Sequence, residues 1–337
     1  MKFIISRTDA IGDVILTLPL TGILKELYPD AKIYFLAKQY TKAVVSTCSH
    51  VDEFIDFDEL QKLNWNDAVN KIQSYSCDAI LHVFPNKTIA KLAKDALVPI
   101  RLGTRNRFYH WFTCNKLIKL SRKNSNLHET QLNLFFAQYF GYNNQYTLKE
   151  LHKFYGFDNK EILLEDYNKL LSKDKLNIIL HPKSNASARE WGFDNFNKLI
   201  KLLTKTNQVK IFVTGIEKER NIIEENIQFN DNVINLAGKL TLEQLISFIE
   251  KCDALVAAST GPLHIASMAG INAIGLYPPI KPMHPGRWAP IGAKAKYFVK
   301  DIQCKECKNT IICKCLHDIT PETIMQYILL NCKTKNI

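Results

Sequence analysis

Short apolar runs recur at regular intervals through the first half of the chain. KFIIS (2–6), KIYFLA (32–37), DEFIDF (52–57), DAILHVF (78–84) and PIRLG (99–103) have the length and residue types of strands. Between them lie longer stretches, such as VILTLPLTGILKEL (14–27), in which apolar residues return every three or four positions. That is the period of a helix with one buried face. Strands alternating with helices predict parallel strands joined by right-handed crossovers. Pro19 falls inside the first helical stretch and is expected to bend it or loosen a turn.

The rhythm then pauses. Residues 101–124, RLGTRNRFYHWFTCNKLIKLSRKN, are basic and aromatic with little periodicity. A helix is expected over 126–141, followed by a connector from about 142 to 174. The alternation restarts with LNIILHP (176–182), VKIFVTG (209–215), VINLAG (233–238), ALVAAS (254–259) and AIGLYP (273–278). The intervening helices predict a second doubly wound sheet. The halves echo one another in architecture without repeating in sequence. The fold class is therefore α/β, with two domains facing a central cleft. Ligands of open α/β sheets bind beyond the C-terminal ends of the strands, so chemistry should lie just after strands.

Length and composition add bounds. A chain of 337 residues exceeds one ordinary core and fits two domains. No apolar run is long enough to span a bilayer, and Arg7, Asp9 and Asp13 interrupt any signal-peptide core. The expected location is the cytoplasm. The formal net charge of +11 favours anionic partners without choosing among them. Nine cysteines, an odd count, argue against a disulfide framework.

Four stretches follow strands and carry candidate chemistry. RTDAIGDVILTLP (7–19) sets two aspartates and a glycine between a strand and a helix. Asp13 is either an acid of the helix's first turn or a carboxylate presented to a ligand. AASTGPLHIASMAG (257–270) leads a small-residue turn into a helix. Ser259, Thr260 and Gly261 would offer N–H and hydroxyl donors to an anion there, with His264 one turn on. A plain helix cap beside a packed histidine is the alternative. HPKSNASAREWGFDNF (181–196) brings Lys183, Ser184, Asn185 and Arg189 to the same sheet edge, with Trp191 and Phe196 as anchors. A solvated basic loop is the competing reading. In TGIEKERN (214–221), Glu217 is either a partner for ribose or base, or an exposed first-turn acid. DFD (56–58) resembles a metal-binding pair only superficially, because its residues alternate faces. Cys304, Cys307, Cys313 and Cys315 have spacings that allow a structural metal, though packed thiols explain them as well.

Taken together, IGDVILTLP, HPKSNASAREW, STGPLHIASMAG and HPGRWAPIG (284–292) resemble glycosyltransferase family 9, the ADP-heptose:lipopolysaccharide heptosyltransferases. The resemblance runs from residue 2 to about 325. It implies the GT-B fold of two Rossmann-like domains: an acceptor domain over 1–165, a nucleotide-sugar donor domain over 166–320, and a C-terminal helix and tail over 321–337. It implies Asp13 as catalytic base. Lys183, Ser184, Arg189, Glu217, Ser259, Thr260, Gly261 and His264 would bind the donor. Ser259 departs from the family, whose best-known members have aspartate there. The implied reaction is an inverting, metal-independent transfer of heptose from ADP-heptose to the lipopolysaccharide inner core (Kdo/heptose–lipid A). The nucleotide sugar is a substrate, and no resident cofactor or metal is implied. Another nucleotide sugar, another glycan acceptor, or a non-catalytic nucleotide-binding module are the alternatives. In this frame Arg105, Arg107, Lys119 and Arg122 would face an anionic glycolipid acceptor, in peripheral contact with the cytoplasmic face of the inner membrane. No nucleic-acid module accompanies the basic segment, so no nucleic-acid partner is expected.

Overall fold

The computed structural model describes residues 1–123, 125–159, 161–300, 304 and 313–332. The chain forms two compact units, 1–159 and 160–337. The division falls six residues ahead of the boundary expected from sequence (165 against 159).

The first unit is built on β1 (Lys2–Ser6), β2 (Lys32–Ala37), β3 (Glu53–Asp56), β4 (Ala79–His82), β5 (Ile100–Thr104) and β6 (Lys116–Ile118). All pairings are parallel and the spatial order is β3-β2-β1-β4-β5-β6. The central strands are buried on both faces, which is why they read as continuous apolar runs. Ile4, Tyr34, Leu36, Ile55 and Ile80 pack with Ile72, Ile89 and Ala93 of the helices covering one face. Each such aliphatic side chain contributes roughly 1.5–3 kcal/mol.

Pro19 acts as its position predicts. The first helical stretch divides into Ile11–Ile15 and Leu18–Leu27, with Pro19 in the opening turn of the second. A proline there costs no hydrogen bond, because that N–H has no helical partner. Further along, Gly22 meets the backbone of Phe154, where any Cβ would collide. This glycine lets the 3₁₀ segment Glu150–Tyr155 lie on the helix.

The second unit contains β7 (Leu176–His181), β8 (Val209–Val213), β9 (Val233–Asn235), β10 (Ala254–Ala258), β11 (Asn272–Tyr277) and β12 (Lys296–Val299). Its order, β12-β11-β10-β7-β8-β9, is the same winding as in the first unit. In each sheet the chain order reverses beside the first strand, between β1 and β4 and between β7 and β10. The helix Pro321–Asn331 packs on the helix Phe193–Lys205 and so belongs to this second unit. Trp191 and Phe196 are buried edge-to-face at 5.0 Å, and the Trp191 indole donates to the Ile319 carbonyl at 2.9 Å. They anchor the loop after β7, as the sequence suggests.

The structure adds one strand to each sheet beyond the sequence reading, β6 and β12, both at an edge. Asp56 caps the helix Phe57–Lys62 by accepting from the Asp58 and Glu59 amides, which accounts for the DFD sequence. Among the described residues no group of three or more His, Cys, Asp or Glu side chains is placed to hold a metal. Cys307 lies outside the described residues, so the four-cysteine set is not described as a whole.

Candidate functional site

In the first unit the chemistry gathers after β1, at the point where strand order reverses. Arg7 is 2% exposed and spends its whole guanidinium on the protein. Its Nε donates to Asp9 at 2.7 Å, one terminal nitrogen to Asp13, and the other to Glu129 at 3.0 Å and Asn133 at 3.4 Å. Arg122 approaches Glu129 from the other side, its Nε donating at 2.8 Å. It also donates to Asn133 at 2.9 Å and to the Val83 carbonyl after β4 at 3.0 Å. Asn133 in turn donates to the Leu16 carbonyl and the Thr17 hydroxyl, both at 3.1 Å. Those are the backbone and side-chain acceptors at the break between the two helices, so the break and the charge network are one construction.

Three carboxylates therefore share two arginines. Glu129 is fully buried in the first turn of the helix Glu129–Gln138, whose start is fixed by a His128–Gln131 capping box. Asp13 sits in the first turn of Ile11–Ile15 with its side chain 20% exposed. Burial pushes its carboxyl up to about 6; Arg7 pulls the other way, and Asp9 and Glu129 add to the rise. Such a group is mostly ionised at neutral pH yet more basic than an ordinary aspartate, which suits a general base. Arg7 shows the reciprocal effect: burial opposes its charge, but Asp9, Asp13 and Glu129 outweigh that and raise its pKa. Asp9 is a rim residue, its carbonyl accepting from the Tyr40 hydroxyl at 2.7 Å.

The basic segment divides in two. Arg105, Arg107 and Lys119 are exposed, and among the described residues no acid pairs with them. Arg122 differs from the sequence expectation, because its guanidinium turns inward to Glu129, Asn133 and Val83.

In the second unit the corresponding reversal lies between β7 and β10. The loop after β7 is folded around Glu190. Its carboxylate accepts from Lys183 at 2.5 Å, from the Ser184 amide at 3.0 Å and from the Ser184 hydroxyl at 3.1 Å. Asn185 and Ala186 follow at φ of 45° and 61°, a tight left-handed turn. The Asn185 amide is held by Glu219 at 3.0 Å. Arg189 is left with a buried Nε that has no hydrogen-bond partner among the described residues. Beneath the loop, burial drives the His181 pKa down to about 4 despite Glu190 and Thr214, so the ring is neutral.

After β10, Thr260 is the N-cap of the helix Gly261–Met268, yet its hydroxyl makes no capping bond. That oxygen is buried without a partner among the described residues. Because the first-turn amides of a helix lack internal acceptors, this end concentrates donors and positive potential. Ser259 faces the Tyr277 phenol, which itself donates to the Trp288 carbonyl at 2.5 Å. His264 is buried in the same helix. Glu217 stands after β8 with its side chain 66% exposed, paired to Arg220 at 2.7 Å. Gly238, at φ of +67°, leaves room for that carboxylate where a Cβ would strike it.

Sequence reasoning did not single out Arg7, Glu129, Asn133, Glu190 or Glu219 as functional. Glu190 was legible as the residue beside Arg189. Glu129 lies in the first turn of a helix, where an acid is ordinary, and nothing in the neighbouring sequence marks it as buried.

Two doubly wound domains of identical winding, each with polar chemistry at its order reversal, define the GT-B fold of two Rossmann-like domains. The fold likeness covers nearly the whole chain. The glycosyltransferase family 9 structure from Veillonella parvula superposes with a TM-score of 0.78 at 18% identity, covering 98% of this chain and 96% of that one. Escherichia coli ADP-heptose lipopolysaccharide heptosyltransferase II gives 0.76 at 19% identity, covering 98% of each. By sequence, the lipopolysaccharide core heptosyltransferase OpsX of Haemophilus influenzae is 25% identical over 284 residues, 81% of this chain and 78% of that protein. Residues 70–317 match glycosyltransferase family 9 (heptosyltransferase), and the chain belongs to that family. It is a glycosyltransferase.

Proposed function

We propose that this enzyme transfers heptose from ADP-heptose to a lipopolysaccharide inner-core acceptor, with inversion at the sugar's anomeric carbon. The observation that carries the mechanism is the contrast at the two order reversals: a raised, arginine-held carboxylate in one unit and unpartnered anion donors in the other. A sugar hydroxyl is a poor nucleophile at neutral pH. Asp13 takes its proton as the bond between the anomeric carbon and the diphosphate breaks. Asp13 lies ahead of the family-matched stretch, so its role rests on this geometry and on the IGD motif.

The departing nucleoside diphosphate needs its growing charge met rather than a strong acid. Lys183 and Arg189, the Ser184 and Thr260 hydroxyls, and the amides of the helix starting at Gly261 supply that, with His264 in the same helix. Glu217 accepts from the nucleoside. Ser259 lies where the donor sugar would be read, and its hydroxyl replaces a charge by a neutral hydrogen-bonding group. Arg105, Arg107 and Lys119 meet the acceptor's carboxylates and phosphates. Arg122 is a positioning residue, tying the basic segment to Glu129 and, through Arg7, to the base. The setting is the cytoplasmic face of the inner membrane; no helix among the described residues is long and apolar enough to cross it.

A donor screen tests this reading. ADP-heptose is expected to raise the melting temperature and yield a product heavier by one heptose. Stabilisation and turnover with UDP- or GDP-sugars, but not with ADP-heptose, would overturn the donor assignment.

A further inference from the structure

The feature of the first unit that the reaction leaves unused is its exposed aromatic turn. Phe108 is 79%, Trp111 58% and Phe112 62% exposed, three large aromatics within five residues. Single exposed apolar residues are common, but a cluster of this size marks an interaction surface. The cluster is also held in place. The Phe108 and Phe112 rings meet edge-to-face at 5.1 Å, and the Trp111 indole donates to the Arg105 carbonyl at 3.0 Å. Beneath them His110 is fully buried, its Nδ1 accepting from the Thr104 amide at 3.0 Å. Burial lowers the His110 pKa, so the support stays neutral. The aromatics thus protrude from a rigid base rather than folding back onto the protein.

The surroundings say what they meet. From residue 96 to 128 the chain has seven Lys and Arg and no Asp or Glu. Arg101 and Arg122 are committed to the protein's own acceptors. Arg105 and Arg107 directly precede the aromatics in sequence and are exposed, as is Lys119 just after β6. Aromatic rings with fixed cations beside them suit an anionic bilayer surface, where rings partition to the headgroup level and each cation adds attraction. Bases stacking on a nucleic-acid platform need open ring faces. Here Phe108 and Phe112 pack on each other edge to face, at an interplanar angle of 67°, as one apolar knob and not as parallel platforms for successive bases.

We propose that Phe108, Trp111 and Phe112 insert into the headgroup region of an anionic phospholipid bilayer, beside the Arg105, Arg107 and Lys119 that receive the lipid-borne acceptor's anionic groups and are drawn to the same negative surface. This deepens the functional reading above, which places the acceptor on a membrane lipid, by assigning where the enzyme meets that membrane. It is tested without turnover. The full chain is sedimented with phosphatidylglycerol/phosphatidylethanolamine vesicles, with phosphatidylcholine vesicles as reference. Binding to the anionic vesicles is expected, weakened about tenfold or more in the F108S/W111S/F112S variant. Lipids brominated near the headgroup should quench the wild type more than Trp111→Phe. The triple variant should keep its rate on a soluble, lipid-free acceptor, which shows that it is folded. Equal binding by wild type and triple variant overturns the proposal. So does equal binding to neutral vesicles, displacement by poly(U), or self-association in lipid-free solution that the triple variant abolishes. If vesicle binding fails while heptose transfer proceeds, the docking surface is wrong and the enzymatic reading stands.

Discussion

The two units share one winding yet provision their order reversals in opposite ways. In the first, every charge is met from within: Arg7 and Arg122 answer Asp9, Asp13 and Glu129. In the second, Glu190 meets Lys183 and Ser184, but the Arg189 Nε and the Thr260 hydroxyl wait without partners among the described residues. A base must be held in a fixed ionisation state before substrate arrives, so its counter-charges are built in. A site for a diphosphate must leave its donors open, because the ligand is the counter-charge. Fold alone does not distinguish the two; the placement of opposite charges does.

Breaking each side should produce different failures. The largest effect is expected for Asp13→Asn, which keeps the shape and an oxygen for Arg7 but cannot take a proton. Transfer should fall by about 10³-fold or more while donor binding, read by thermal shift, persists. Next is Glu129→Gln. Removing one charge from a buried pair costs about 3–5 kcal/mol, read as a lower urea midpoint, because Arg7 and Arg122 lose the carboxylate between them. On the other side, Arg189→Ala should lower kcat/KM by about 10²-fold, the worth of one donor to a charged leaving group. Its stability should stay near wild type, since no ion pair of Arg189 with a described residue is broken. Equal stability losses for Glu129→Gln and Arg189→Ala would erase the contrast.

Much of this was legible along the chain. The central strands of both sheets are apolar on two faces, so their runs stand out. The reversals follow from the alternation, and the loops after β1, β7 and β10 carry the candidate residues. The edge strands were not legible. KLI of β6 and KYFV of β12 are short, partly exposed and opened by lysine. They pair on one side only and need no uninterrupted apolar run. The charge network escaped for a different reason. Arg7 and Glu129 are 122 positions apart, and Arg7 and Asn133 are 126 apart. Local pattern shows that each is polar, but not that the fold buries them against one another. Arg122 illustrates the cost: it reads as one more surface cation, and only the packing of Glu129–Gln138 turns it inward.

The most direct measurement is the pH dependence of kcat/KM with ADP-heptose and acceptor. Asp13 must be ionised to act, and burial raises its pKa to about 6. Activity should therefore rise with unit slope through about pH 6 and level off above it. Glu129 contributes to that rise, so in Glu129→Gln the acid limb should move to lower pH. A wild-type profile that is flat from acid to neutral pH, or an acid limb that survives unchanged in Asp13→Asn, would contradict the assignment of Asp13 as the base.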